Sequence, residues 1–430
     1  MVTIDTIFTY DSTEHTMDYG SGDVVPRFRN PKTWFNASVD LYNIYKRQSL
    51  QELETVPIDK FVIHEIHTER GPYHWMGTGI PGTVNIIEML PQWLVDKIRN
   101  KTAILYIDQA CEGFPLNGYL GDFYARIHTL LNDYNLPPSQ IIYSTGNLIE
   151  NEVYTKWCNN HAITDRMLVV GVNMFAYMCS CSYIFTSEAS ELSYIEHFEY
   201  KLKNDIKVFN NLNRVIREHR VAMTSMLNYY DLLDDNLVSQ DRYTIEYKEQ
   251  FNSKYFNPHA AFENNNMIAV NSKLPLVLDT NQFEINKANH FFKEVYLESW
   301  VSVITETYYV EPITDTVFLS EKIYKPIRAC HPFIMVGQYN SLAMLKKEGF
   351  KTFSEFWDES YDDIIDNTER MEAICLLLKD LSKLSKPEWF RLYLRMKPIL
   401  EHNMRHLTHN NWLKPMQTLI NSHEVLKELS

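Results

Sequence analysis

The sequence predicts an α/β protein of two lobes followed by a helical tail, and three observations carry that prediction. Its 430 residues are more than one hydrophobic core organises, at roughly 100–200 residues per domain. Short β-branched or aliphatic runs alternate with amphipathic stretches, the pattern of strands joined by helices into parallel sheets. After about Glu369 only helical periodicity remains.

The elements follow in chain order. In a first lobe, residues 1–203, strands are expected at 61–66, 103–108, 141–145 and 167–173, with helices between them such as Gly121 to Tyr134, closed by Leu136-Pro137-Pro138. The charged stretch Glu196 to Asp205 reads as the linker. A second lobe, residues 204–385, opens with a strand at Lys207 and a turn holding Arg214, Arg217 and Arg220. A helix then places Ala222, Met226, Tyr229 and Leu233 at i, i+4, i+7 and i+11. The polar segment Asn252 to Asn271, with asparagines at 264, 265 and 266, reads as a loop. Val301, Val303 and Ile304 belong to a strand ending at Thr305-Glu306. Ser320 is the expected N-cap of the next helix, and Phe333 to Gly337 the next buried strand. Residues 386–430 are expected to be C-terminal helices, including Trp389 to Met404.

Composition narrows the partners. Hydrophobic residues are 45% and charged residues 22%, which is globular. A net charge of −14, from 55 acidic against 41 basic residues, argues against wholesale binding to nucleic acid or an anionic membrane. A local basic cleft for a small anion is compatible with it. Six scattered cysteines, Cys111, Cys158, Cys179, Cys181, Cys330 and Cys375, form no disulfide framework, and the chain does not start with a signal-peptide pattern. The cytoplasm is the expected compartment, and the sequons at Asn36 and Asn100 then carry no weight. Met167 to Phe185 is apolar but is interrupted by Gly171, Asn173, Ser180 and Ser182, so it reads as buried elements rather than a membrane span. Its Cys179 and Cys181 read as core thiols.

Three segments carry candidate chemistry. The first joins Glu306, at a strand's carboxyl end where open α/β sheets place ligands, to Ser320-Glu321-Lys322 and Lys325 at a helix start. Backbone N–H groups there, with the two lysines, suit a diphosphate. Simple capping and surface charge would give the same tripeptide. The second is Asn213-Arg214 with Arg217 and His219, where the guanidinium fork matches phosphate oxygens. A solvated helix start is the plain alternative. In the third, the strand Ile104 to Ile107 runs into Asp108, Glu112 and Gly113. A carboxylate at that strand end is placed to act as a general base. Glu112 is preferred over Asp108, although a cap and a solvated glutamate fit the same residues. His74 and Trp75, in the glycine-rich loop Arg70 to Gly82, are candidates for an acceptor surface. His64 and His67 are three apart in strand-like sequence and would face opposite sides, so they predict no zinc site.

The segment FLSEKIYKPIRACHPFIMVG, followed by LKKEGFKTFSEFWDESYDDI, resembles the donor-binding half of GT-B glycosyltransferases. The likeness is to fucosyltransferase-like enzymes and to glycosyltransferase-like proteins of tailed phages, and it runs from about Lys207 to Ile364. It implies two Rossmann-like lobes in a GT-B architecture, with a nucleotide sugar on the second lobe, an acceptor on the first, and a tail helix that often packs back on the first. The implied reaction is a single displacement with inversion. In it Glu112 or Asp108 activates the acceptor hydroxyl, and Arg214, Arg217 and Lys322 stabilise the departing diphosphate. Asn213, His219, Ser320 and Lys325 complete the donor side, while Glu306 and Glu321 hold ribose or sugar hydroxyls. The expected donor is a UDP- or GDP-sugar. No metal or other cofactor is expected, since Asp234-Asp235 and Asp362-Asp363 lack the Asp-x-Asp form. The acceptor is a glycan or, from the phage likeness, a modified DNA base such as a hydroxymethylated pyrimidine, in which case the compartment is a host cytoplasm. A non-catalytic nucleotide- or glycan-binding module would carry the same pattern.

Overall fold

A computed structural model describes residues 7–10, 61–66, 87, 92–110, 112–113, 122–180, 192–213, 215–243, 255–278, 291–309, 316–412 and 414. The chain forms two compact units, Met1–Met174 with Asn411–Ser430, and Phe175–Asn410.

In the first unit, strands β1 (Ile7–Tyr10), β2 (Phe61–Ile66), β3 (Ala103–Gln109), β4 (Ile141–Thr145) and β5 (Leu168–Gly171) form one parallel sheet in chain order. Helices α1 (Gln92–Arg99), α2 (Phe123–Asp133) and α3 (Glu150–Asn160) lie between the last four strands in sequence. Leu105, Ile107, Ile141, Tyr143 and Val169, alternate residues on one sheet face, join a single core with Leu94, Ile98, Ile127 and Tyr154 of these helices. Ile104, Ile142 and Val170, on the opposite face, are also buried. Burial on both faces explains why the strands read as continuous apolar runs instead of alternating ones.

The second unit contains α4 (Met174–Ser180), which starts at its boundary, α5 (Tyr194–Lys203), β6 (Lys207–Asn213), α6 (Glu218–Tyr229), β7 (Leu237–Gln240), α7 (Asn264–Lys273) and α8 (Lys293–Leu297). It continues with β8 (Ser299–Thr305), α9 (Glu321–Arg328), β9 (Phe333–Val336), α10 (Ser341–Lys347), α11 (Asn367–Leu381) and α12 (Lys386–His409). Its parallel sheet has the order β7-β6-β8-β9. The chain therefore leaves β6 towards β7, crosses back to β8 on the other side, and continues outward to β9. Strand β6 is polar within its buried stretch because it is tied to β8 by side-chain amides. Asn210 Nδ2 donates to Ser299 Oγ at 2.7 Å and Ser302 Oγ at 2.9 Å, and Asn211 Nδ2 donates to the Val303 carbonyl at 2.8 Å and Thr305 Oγ1 at 2.9 Å.

Two expectations are corrected. The charged stretch from Glu196, expected as a linker, is helical to Lys203. Ser193 and Glu196 form a reciprocal capping box at its start, and Tyr194 stacks on Tyr393 at 5.0 Å. The expected loop around the asparagine run is helix α7 from Asn264 onward. Asparagine is a poor helix former, but Asn266 donates to the carbonyls of Ser225 at 2.8 Å and Ala261 at 2.7 Å and accepts from Asn228 at 2.7 Å. These tertiary bonds override a weak local propensity. Among the described residues no helix is long and apolar enough to cross a membrane, and Cys158, Cys179, Cys330 and Cys375 are buried free thiols.

Lys201 anchors α5. Its fully buried ammonium donates to the carbonyls of Tyr296 and Leu297, each at 3.0 Å, and of Ser299, closing the end of α8. Trp300 and Tyr393 present ring faces at 5.4 and 5.8 Å. Lys201→Met removes this donor from all three carbonyls, of which Ser299 keeps His331 Nε2 at 2.9 Å, and is expected to lower unfolding free energy by about 2–4 kcal/mol in urea titrations.

Candidate functional site

The order of the second sheet creates a crevice. Strands β6 and β8 are neighbours whose outgoing connections diverge to opposite edges, so their carboxyl ends lie at a topological switch point, where α/β sheets receive ligands. Helix α6 follows β6 and helix α9 follows β8, and both present N-termini there. Ser320 caps α9, its Oγ accepting from the Lys322 N–H at 3.4 Å. The N-cap position of α6 is Arg217, and no side chain caps that helix. The Arg220 N–H already donates to the Arg217 carbonyl at 3.0 Å, and the amides before it are placed to favour an anion.

A short turn, 306–309, ties the surrounding elements together. Glu306 is fully buried, and its Oε2 accepts from the Thr307 N–H at 3.1 Å, the Ser320 N–H at 3.3 Å and the Ser320 hydroxyl. Burial raises this carboxyl above the ordinary glutamate range, partly offset by Lys322 and the Ser320 bond. His219 Nε2 lies 2.9 Å from the Glu306 carbonyl. A carbonyl only accepts, so this nitrogen carries the proton. Burial, with Arg220, Arg217 and Lys322 adding to it, holds the ring well below its ordinary pKa and therefore neutral. Arg217 Nη1 donates to the Thr307 carbonyl at 2.7 Å, with its guanidinium 5.9 Å from the Tyr308 ring centre.

The cations of this site differ in how far the protein already satisfies them. Lys322 Nζ has three donors and uses them on Thr307 Oγ1 at 2.9 Å, Ser320 Oγ at 3.2 Å and Glu321 Oε1 at 3.0 Å. Burial pushes the Glu321 carboxyl up, but Lys322 and Lys325 outweigh it and hold the group at about 2. Arg220 is the contrast. It is 5% exposed, its guanidinium makes one hydrogen bond among the described residues, from Nη1 to the Val215 carbonyl at 2.9 Å, and Nε is buried without a partner there. Burial and then Arg217 push its pKa down to about 10, which leaves it charged near neutrality. Among the described residues no carboxylate pairs with it. Glu321 and Glu306 offset the burial only in part, and a buried charge without a direct ion pair is costly, so this guanidinium marks a place where an anion is stabilising.

The remaining expected residues are distributed as follows. Asn213, at the end of β6, is 1% exposed; its Nδ2 donates to Asn211 Oδ1, and its own Oδ1 is buried without a partner. Lys325 lies one turn along α9 and is half-buried. Arg214, His74 and Trp75 lie outside the described residues. In the first unit, Asp108 lies near the carboxyl end of β3. Glu112 follows in the loop, where its carbonyl accepts from the Gly146 N–H at 2.8 Å and Thr145 Oγ1 at 3.3 Å, tying the loop to the end of β4. Among the described strands this first sheet has no reversal of order, so the position of the two carboxylates is a strand end without a switch point. Asp234 pairs with Lys273 at 2.6 Å, and Asp362 accepts the N–H groups of Leu342 and Ala343, each at 3.0 Å.

Sequence reading passed over Arg220 and Thr307. Arg220 stood in the arginine-rich turn, but Arg214 and Arg217 were the residues chosen from it. Thr307 carried no motif at all, and only the fold shows that two cations converge on it.

No protein-family model matches the sequence, and no curated protein matches it. Among solved structures, the chain is similar to the UDP-forming α,α-trehalose-phosphate synthase of Burkholderia vietnamiensis, at 10% identity and a TM-score of 0.44 over 93% of this chain and 81% of that one. It is similar to the α,α-trehalose 6-phosphate synthase of Burkholderia multivorans at 11% identity and a TM-score of 0.42, over 95% and 77% of the two chains. The N-terminal domain of Candida albicans trehalose-6-phosphate phosphatase aligns at 10% identity and a TM-score of 0.42, over 99% of both. Likeness at this level does not fix the chemistry of this chain, which rests on its own side chains.

The charge arrangement gives a pH signature. Glu321 titrates at about 2 when folded against an ordinary 4.5, so its ionised form stabilises the fold above about pH 4.5 and that contribution is lost as pH falls towards 2. The stability difference between the protein and its Glu321→Gln variant, measured by urea titration, is expected to be largest near pH 6–7 and to shrink progressively below about pH 4.5.

Proposed function

We propose that the chain is a glycosyltransferase that binds the diphosphate of a nucleotide-sugar donor on the second unit, at the carboxyl ends of β6 and β8. The observation that supports this best is Arg220, a buried guanidinium with no carboxylate partner, beside an uncapped helix N-terminus at a topological switch point. A diphosphate supplies the missing negative charge and accepts the free amides of α6. The resemblance of the segment from Lys207 to Ile364 to GT-B donor lobes points to the same chemistry.

In the proposed reaction an acceptor hydroxyl oxygen attacks the anomeric carbon. The bond from that carbon to the diphosphate oxygen breaks, its electron pair stays on the diphosphate, and the configuration inverts. The acceptor proton passes to Glu112 or Asp108 of the first unit. Charge grows on the departing diphosphate, where Arg217 and Arg220 stabilise it. Lys322 joins them only by giving up a present partner, and Glu321 is the one whose release leaves a carboxylate free for a ribose or sugar hydroxyl. The reaction as written needs no metal. The net charge of −14 favours a saccharide or small-molecule acceptor over DNA.

Thermal shifts with UDP, GDP, CMP, ADP and dTDP, followed by hydrolysis assays of the matching nucleotide sugars, test the reading. One nucleotide at about 100 times its dissociation constant should stabilise the protein by roughly 2.7 kcal/mol. Arg220→Met should weaken that binding by about tenfold or more, as loss of a charge-assisted contact does. The pair Glu112→Gln and Asp108→Asn should keep donor binding and lose about a hundredfold or more in turnover. No shift with any nucleotide overturns the proposal, and binding without donor consumption replaces it with a binding module.

A further inference from the structure

Behind the turn 306–309 stands a column of rings that touches the site only through protein. Tyr309 stacks on His219, centroids 5.8 Å and planes 15° apart, and on Phe256 at 6.1 Å and 14°. The Arg370 guanidinium lies 4.3 Å from the Tyr309 ring centre. Arg370 is 2% exposed and donates from Nη2 to the Tyr309 carbonyl at 3.0 Å and Asn367 Oδ1 at 2.7 Å. From Nη1 it donates to the carbonyls of Ile364 at 2.7 Å and Ile365 at 3.0 Å, and the Tyr309 hydroxyl donates to the Asn367 carbonyl at 2.8 Å.

This cation sits in the first turn of α11, where the helix dipole disfavours positive charge. Its contribution therefore lies in the contacts it makes, which fix the turn from behind. From Tyr309 the linkage runs through the His219 ring to the Glu306 carbonyl. From Thr307 it continues to Arg217 and Lys322. We infer that Tyr309 and Arg370 are positioning residues that hold this turn, and through it the arginine-lined crevice, in its binding geometry. The effect on ligand affinity rests on the donor-site reading above; the effect on the turn does not.

Hydrogen exchange of the Thr307 and Ser320 amides, both bonded to Glu306 Oε2, reads the turn directly in the full chain without ligand. Calorimetric titration with UDP and GDP reads the crevice. Tyr309→Leu is expected to speed exchange of both amides, relative to Ile334 and Met335 in β9, and to weaken nucleotide binding, each by about tenfold. Tyr309→Phe keeps the stack and should change both by less than about twofold. Should Tyr309→Leu fail to fold, Arg370→Lys, which loses the planar fork, is expected to show the same two changes. A lowered melting temperature with relative exchange and affinity unchanged would overturn the inference, because that is what a merely structural role predicts. If the unsubstituted protein binds neither nucleotide yet Tyr309→Leu speeds the two amides, the donor reading fails and the turn assignment stands.

Discussion

The carboxyl group of Glu306 is the fixed point around which the second unit's crevice is arranged. It ends strand β8, its own N–H still donating to the Val336 carbonyl at 3.0 Å, and it grips Ser320 by both amide and hydroxyl. A strand end and a helix start 14 positions apart in sequence are thus joined by one buried acid. Burying a carboxyl is unfavourable unless it is hydrogen-bonded, and Oε2 has three donors while Oε1 has none. Burial raises this carboxyl's pKa, and Lys322 together with the bonds from Ser320 and Thr307 offsets the rise only in part.

Around that point the positive groups fall into two kinds. Lys322 is satisfied within the protein, by a hydroxyl on the turn, the N-cap hydroxyl and a neighbouring carboxylate. Arg220 is buried with one carbonyl partner for its side chain among the described residues and no direct ion pair, although the Glu321 and Glu306 carboxyls act on it from a distance. The difference decides how each would respond to an anion. A satisfied ammonium must exchange one favourable contact for another, whereas a buried guanidinium without a direct ion pair gives up fewer contacts to take on an anion. In a chain of net charge −14 such a site concentrates positive potential locally while the exterior stays acidic.

The first unit is organised differently. Its sheet runs in chain order, with the helices packed into one core on one face, and some of its polar interior groups are paired: Tyr143 donates to Gln109 Oε1 at 2.6 Å, and Asn147 donates to Glu150 Oε2 at 2.6 Å. The loop bearing Glu112 is pinned by its backbone to the end of β4. The backbone bonds give this loop a defined position while the Glu112 side chain stays partly exposed.

The sequence by itself determined the element order and the class of the fold. Apolar runs such as Ile104 to Ile107 and Val301 to Ile304 can be buried only in strands covered on both faces, and the capping residue Ser320 marks its helix start by local hydrogen bonding alone. It also placed Glu306, Glu321 and Lys322 near one another, since a strand end and the following helix start are neighbours in any α/β unit. What only the tertiary structure decided depends on contacts far apart in the chain. The asparagine run became a helix through bonds to α6, the stretch after Ser193 became a helix by docking its aromatic and lysine side chains, and Arg220 turned out to be buried because of how α6 packs. The column from Arg370 through Tyr309 to His219 joins residues 151 positions apart in the chain, and no local pattern announces it. Propensity and capping act within a few residues and are legible in order along the chain. Burial of a charge, or its lack of a partner, is a property of everything that surrounds it.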